Sequence, residues 1–166
     1  MRKWMVASVF VLALAIVTTS WATGHQGAKV LDFKTMVGVV PPYVGSPTNA
    51  ALTRGIQGAG AAWQIDRAKG KLRSNGDLEV EVKGLVLVST GQNPLATFKA
   101  IVSCLSIDGN GQAVTVNQLT DAFPATMPGG DAEFDGSVSL PSPCIAPLVF
   151  VTTAGTTPRW IALTGT

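Results

Sequence analysis

Residues 67–83, which read RAKGKLRSNGDLEVEVK, decide the fold. Apolar and charged residues alternate on both sides of the turn Ser74-Asn75-Gly76, and this period of two is the pattern of half-buried β-strands. A three-residue loop with Gly76 in the left-handed conformation is a favoured hairpin geometry. The register that this loop predicts pairs Arg73 with Asp77, Leu72 with Leu78, Lys71 with Glu79, Lys69 with Glu81, and Ala68 with Val82.

This register separates the two faces of the hairpin. A two-residue turn would pair Arg73 with Leu78, and a slip of one residue would exchange the apolar and charged faces. The first strand carries a basic stripe that is suited to a polyanion, formed by Arg67, Lys69, Lys71 and Arg73. The second strand places Asp77, Glu79 and Glu81 opposite that stripe. We therefore interpret the stripe as a solvated structural face rather than a binding patch.

Short apolar bursts separated by Gly, Asn, Asp and Pro continue on both sides of the hairpin. They predict strands at residues 30–39, 62–73, 77–89, 96–107, 113–119, 132–140, 147–153 and 159–163. No segment shows helical periodicity, and hydrophobic residues make up 46% of the chain against 13% charged residues. The sequence therefore predicts one all-β domain over residues 23–166. We expect a single antiparallel β-sandwich, immunoglobulin-like or related, with about seven to nine strands and one disulfide.

Residues 41–60 interrupt the strand pattern with three prolines and four glycines. Loops on a rigid β scaffold commonly carry recognition, and Tyr43 is the aromatic residue best suited to an interface there. The glycines also permit a structural crossover between two sheets, with Leu52 and Ile56 tucked over the end of the sandwich. We favour the crossover.

Residues 1–22 have the layout of a secretory signal peptide. Arg2 and Lys3 precede an apolar run over residues 5–17, and Ser20-Trp21-Ala22 resembles a cleavage site. An uncleaved anchor is the alternative, but the run is shorter than a bilayer span of ~20 residues. We expect a secreted, periplasmic or cell-surface protein, with no membrane attachment after cleavage. Without Arg2 and Lys3, ten Lys and Arg balance ten Asp and Glu, which gives no electrostatic reason to bind nucleic acid.

The chain has two cysteines, and export predicts that they pair. Cys104 lies in residues 98–105, the best candidate for a core strand, and Cys144 lies next to Pro143. Closing a loop of about forty residues stabilises the fold by ~4 kcal/mol in the chain-entropy model. Two cysteines without a nearby histidine make a poor zinc site, which requires four ligands.

Few residues point to catalysis. The single histidine, His25, lies near the start of the predicted mature chain, so a Ser-His-Asp arrangement has little support. Asp131, Glu133 and Asp135 alternate, and a strand would place their carboxylates on one face. With Asp121 they are candidate ligands for Ca²⁺, which prefers oxygen; the alternative is a solvent-facing row. We predict no cofactor.

From Val40 to Leu85 the chain resembles the CHRD domain, a secreted β-rich module named for chordin and widespread in bacterial exported proteins. The matching segments are Val40-Pro41-Pro42, Gly60-Ala61-Ala62-Trp63, Asn75-Gly76-Asp77-Leu78 and Val82-Lys83-Gly84-Leu85. The resemblance implies a β-sandwich with a non-enzymatic role. The histidine-bearing segment that usually follows in that family is absent here, so any metal or partner role tied to it does not carry over.

Two functions are therefore expected from the sequence. The favoured one is an exported, non-enzymatic structural or interaction module with an unknown protein or cell-surface partner. The alternative is a carboxylate-based hydrolase or a Ca²⁺-dependent glycan-binding domain that uses Asp131, Glu133 and Asp135.

Overall fold

The computed structural model describes residues 27–45 and 51–164, and every regular element in them is a β-strand. The strands are, in chain order, β1 (Lys29–Phe33), β2 (Met36–Gly38), β3 (Leu52–Thr53), β4 (Ile56–Gln57), β5 (Trp63–Gln64), β6 (Arg67–Arg73), β7 (Asp77–Lys83), β8 (Val86–Leu87), β9 (Thr97–Ile107), β10 (Ala113–Leu119), β11 (Phe123–Pro124), β12 (Ala132–Ser137), β13 (Ile145–Thr153) and β14 (Trp160–Thr164). Within these ranges no helix is long and apolar enough to cross a membrane. The predicted signal peptide and His25 lie outside the described residues.

Two antiparallel sheets form the body of the molecule. Sheet A has the order β1-β6-β7-β12, and sheet B has the order β10-β9-β13-β14-β2, with β11 also beside β9. The pairs β3–β4 and β5–β8 stand apart from them. One hydrophobic core joins the sheets, and the rings of Phe123 and Phe134 meet across it at 5.3 Å. This arrangement confirms the predicted antiparallel β-sandwich, although the described residues form fourteen strands rather than the expected seven to nine.

The hairpin forms as its sequence predicts. Ala68 pairs with Val82, Lys69 with Glu81, Lys71 with Glu79, and Leu72 with Leu78. Gly76 has a φ of +93°, the left-handed conformation that the three-residue loop requires. Leu72 and Leu78 are fully buried, so the apolar face of the hairpin points into the core.

The first three predicted strands are each broken in two. Residues 30–39 form β1 in sheet A and β2 in sheet B, so the chain changes sheets near Lys34. Residues 62–73 form β5 and β6, and residues 77–89 form β7 and β8. In each case one strand belongs to sheet A and the other belongs to the two-stranded pair β5–β8. Gly84, at the second of these breaks, has a φ of +63° and lies against the Asp66 carboxylate. Alternation is a local pattern and does not show where a strand leaves its sheet.

The predicted disulfide is present. Cys104 in β9 and Cys144 immediately before β13 are bonded at an S–S distance of 2.04 Å. Their strands are neighbours in sheet B, since Ile145 pairs with Leu105. The bond therefore ties the start of β13 to the neighbouring strand β9, and a disulfide is consistent with an extracellular location.

Residues 51–60, here termed the strap, cross the outer face of sheet B. Asn117 of β10 donates from its Nδ2 to the carbonyl of Arg54 at 3.1 Å, and the Ala59 amide donates to the Trp160 carbonyl at 2.9 Å. Ile56 is buried, as the crossover hypothesis expects, but Leu52 is 62% exposed. The expectation for Leu52 is therefore wrong. Ile56 and Ala59 belong to the hydrophobic core and Gly58 forms a parallel bridge with Trp160 of β14, whereas the Leu52 side chain stays in solvent.

Candidate interaction surface

The outer face of sheet A is open to solvent and carries most of the hairpin's charges. A shallow depression of about 630 Å³ lies over it. We call this surface the charged face; its main side chains are Arg67, Lys69, Lys71, Glu79, Glu81, Glu133 and Asp135. Successive side chains of a strand point to opposite faces of the sheet, and these residues occupy the positions that face solvent.

Charge is distributed unevenly across this face. Two rows of charged side chains run across the strands β6, β7 and β12. In each row β6 contributes a lysine, whereas β7 and β12 each contribute a carboxylate. In one row Lys69 lies 2.7 Å from Glu81, which is directly opposite Glu133. In the next row Lys71 lies 2.9 Å from Glu79, which is directly opposite Asp135.

Glu79 and Glu81 therefore each lie between a lysine and a second carboxylate. Like charges directly opposite in a sheet are destabilising. The face is thus polarised, with a basic side over β6 and an acidic side over β12.

The lysine contacts perturb titration on this face. The hydrogen bond from Lys69, together with its positive charge, holds the pKa of Glu81 below its ordinary value. The same hydrogen bond and the negative charge of Glu81 raise the pKa of Lys69. At the edge of the face, the hydrogen bond from Lys29 lowers the pKa of Asp32. These pairs are solvated, so they contribute little to stability.

The candidate carboxylates from the sequence do not all come together. Glu133 and Asp135 share the charged face, as a strand predicts. Asp131 lies just before β12, where it accepts a hydrogen bond from the Gly84 amide at 3.0 Å and lies 3.6 Å from Lys83. Asp121 follows β10 and belongs to neither of these contacts. Among the residues that the structure describes, no group of three His, Cys, Asp or Glu side chains is placed to hold a metal ion.

Tyr43 lies on the opposite side of the molecule from the charged face. Its ring centroid is 5.7 Å from that of Trp160, and the residue remains 37% exposed. Trp160 also packs against Phe150 at 6.2 Å. Tyr43 thus covers the outer face of sheet B beside the strap, and its exposed part is the only part available to a partner.

The sequence gives no sign of a set of buried polar side chains in the strap and in sheet B. Five buried side-chain atoms lack a hydrogen-bond partner within residues 27–45 and 51–164: Arg54 Nη1, Gln57 Nε2, Ser103 Oγ, Asn117 Oδ1 and Trp160 Nε1. Two described residues other than glycine have positive φ, Arg54 at 55° and Ala146 at 46°. Arg54 donates from its Nη2 to the Ala146 carbonyl at 3.0 Å, so these two residues are in contact. No local sequence pattern marks these positions.

The fold and the charged face together define a disulfide-bonded antiparallel β-sandwich with one covered and one open sheet. Comparison with family models, with curated proteins and with solved structures found no match. The resemblance to CHRD domains therefore stays a prediction.

Proposed function

We propose that this protein is an exported, non-enzymatic interaction module that binds a protein or cell-surface partner through the charged face. The observation that carries the proposal is the acidic side of that face. Glu79 and Glu81 have lysine partners, whereas Glu133 and Asp135 form no ion pair within the described residues. A partner that presents cationic groups above β12 would relieve the repulsion between the opposed carboxylates.

The uneven charge distribution on this face favours one orientation of a bound partner, in addition to attracting it. A matching partner places cations over β12, and like-charge contacts between these cations and β6 disfavour the reverse orientation. The existing ion pairs are solvated, so the lysines and glutamates can exchange partners at little cost. Binding of this kind weakens as salt rises.

The test compares variants of the mature protein in their capture of material from native culture fluid. Glu133→Gln combined with Asp135→Asn should abolish capture, and raised salt should weaken capture by the wild type. Asp121→Asn is the matched control because it removes an exposed carboxylate away from the charged face, and it should behave as the wild type. Equal capture by the double variant and the wild type would reject the charged face as the binding surface.

Two further measurements separate the alternative functions. A polysaccharide screen with and without chelator identifies Ca²⁺-dependent glycan binding if capture disappears with the chelator. Hydrolysis that is lost in Glu133→Gln with Asp135→Asn would identify a carboxylate-based enzyme. Export itself is tested by the N-terminus of the protein from its native source, which should be Thr23 if the leader is cleaved after Ala22.

A further inference from the structure

The four edges of sheets A and B differ in how they resist pairing with another chain. Sheet A ends in β1, which has charged residues and a register shift, and in β12, which carries Glu133 and Asp135. Sheet B ends on one side in β2, which has only three residues. Its other edge is β10, seven residues long, with the sequence AVTVNQL and an uninterrupted register along β9. Charge, short length and irregularity are the usual protections of an exposed edge, and β10 has none of them.

The free side of β10 can be assigned from its hydrogen bonds with β9. Beyond one end of the ladder the Asp108 amide donates to the Gln112 carbonyl, and beyond the other end the Thr120 amide donates to the Ala100 carbonyl. Bonded and non-bonded pairs alternate between these ends in an antiparallel ladder. The residues of β10 that direct their amides and carbonyls away from β9 are therefore Ala113, Thr115, Asn117 and Leu119. Within the described residues no strand pairs with this side of β10.

We propose that β10 pairs antiparallel with β10 of a second copy of this chain, about a twofold axis through Val116. In this register Ala113 faces Leu119 of the second copy, and Thr115 faces Asn117 of the second copy. All four outward-directed residues then meet an outward-directed residue. The two B sheets become one continuous sheet across the axis.

The side chains of β10 are complementary to themselves in this register. A small residue, Ala113, faces a large one, Leu119, and Thr115 faces Asn117, whose amide is already held by the Arg54 carbonyl of its own chain. No charges oppose each other, whereas self-pairing of β12 would bring the carboxylates of two copies together. This charge compatibility favours a second copy over a charged peptide, for which β10 offers no counter-charge.

Exposed apolar side chains on the same sheet face support an interface at this edge. Leu119 is 47% exposed and Ile107 is 52% exposed, and both lie on the outer face of sheet B with Leu105. The strap contacts β10 at Asn117 and leaves these side chains in solvent. The second copy would place its own edge beside Leu119, which would bury part of this apolar surface.

The experiment measures the mass of the disulfide-bonded mature protein by sedimentation equilibrium from low to high micromolar concentration. The wild type should form dimers. Thr115→Lys should raise the dimer dissociation constant about tenfold or more, because a charge is placed on the pairing edge. Thr115→Pro should do the same, since it removes an outward amide and leaves the ladder to β9 intact. Thr156→Lys adds the same charge on an exposed loop between β13 and β14 and should dimerise as the wild type.

A cooperative melt and an intact disulfide verify the fold of each variant. If Thr115→Pro fails this check, Thr115→Lys decides the outcome. A wild type that stays monomeric throughout, or that forms assemblies larger than a dimer, overturns the proposal. So does a folded Thr115→Lys that dimerises as tightly as Thr156→Lys.

Discussion

The outer faces of the two sheets are used in opposite ways. On sheet B the outward side chains of Ile101, Phe150 and Trp160 are buried because the strap and Tyr43 lie over them. On sheet A the outward side chains are mostly charged and open to solvent, and two lysines of β6 pair with two glutamates of β7. The same type of scaffold therefore has one face that contributes to stability and one face that is free to contact a partner.

The sequences of two interior strands, β7 of sheet A and β9 of sheet B, reflect this difference. In β7, apolar and charged residues alternate, as expected for a strand with one wet face. In β9, Ala100 to Cys104 is an uninterrupted buried run, which is typical of a strand covered on both faces. The two strands therefore differ in burial pattern: alternating burial marks a sheet with one face in solvent, and continuous burial marks a sheet that is covered on both faces.

The largest expected effect is at the centre of the covered face. Trp160 is 2% exposed and packs against Phe150 and Tyr43. Trp160→Ala should lower the free energy of unfolding by about 3–5 kcal/mol, since it leaves a cavity beneath the strap. Chemical denaturation monitored by circular dichroism measures this loss.

Two companion variants sharpen that test. Trp160→Phe should cost much less than Trp160→Ala, because it keeps an aromatic ring and removes an indole N–H that has no partner in the described residues. Glu133→Gln on the charged face should change the unfolding free energy little. If Trp160→Ala and Glu133→Gln had similar effects, the distinction between a covered and an open face would be wrong.

Tyr43 lies at the margin of the covered face and should have an intermediate effect. Its ring contacts Trp160 and is partly exposed, so Tyr43→Ala should cost about 1 kcal/mol in unfolding free energy. Capture of a partner by the charged face should not change. A variant that keeps its stability but loses capture would instead make Tyr43 a recognition residue.

The sequence predicts the parts of this fold that depend on local pattern. The hairpin register follows from the alternation on either side of Gly76, and the disulfide follows from two cysteines in a chain with a predicted leader. The strap does not follow, because its contacts with Asn117 and Trp160 join residues far apart in the chain. The sequence indicates the acidic side of the charged face only in part: it makes Glu133 and Asp135 candidate ligands, but their position opposite Glu81 and Glu79 depends on which strand pairs with β7.

The smallest expected effect is on the charged face, and it depends on pH. The pKa of Glu81 is lowered by the hydrogen bond from Lys69, so its contribution to stability is present above the ordinary carboxyl pKa. That contribution is lost as the pH falls through the folded-state pKa of Glu81. The pKa of Lys69 is raised, so its contribution is present below the ordinary lysine pKa and is lost as the pH rises through the folded-state value.

Glu81→Gln should therefore melt slightly below the wild type near neutral pH and converge with it in acid. Thermal melts of both proteins across the carboxyl range measure this difference, which should also shrink in high salt. Glu133→Gln is the matched control on the neighbouring strand. It should melt at or slightly above the wild type near neutral pH, because it removes a like charge directly opposite Glu81. If both variants lost the same stability at every pH, the polarity of the charged face would have no energetic consequence, and its acidic side would no longer favour a cationic partner.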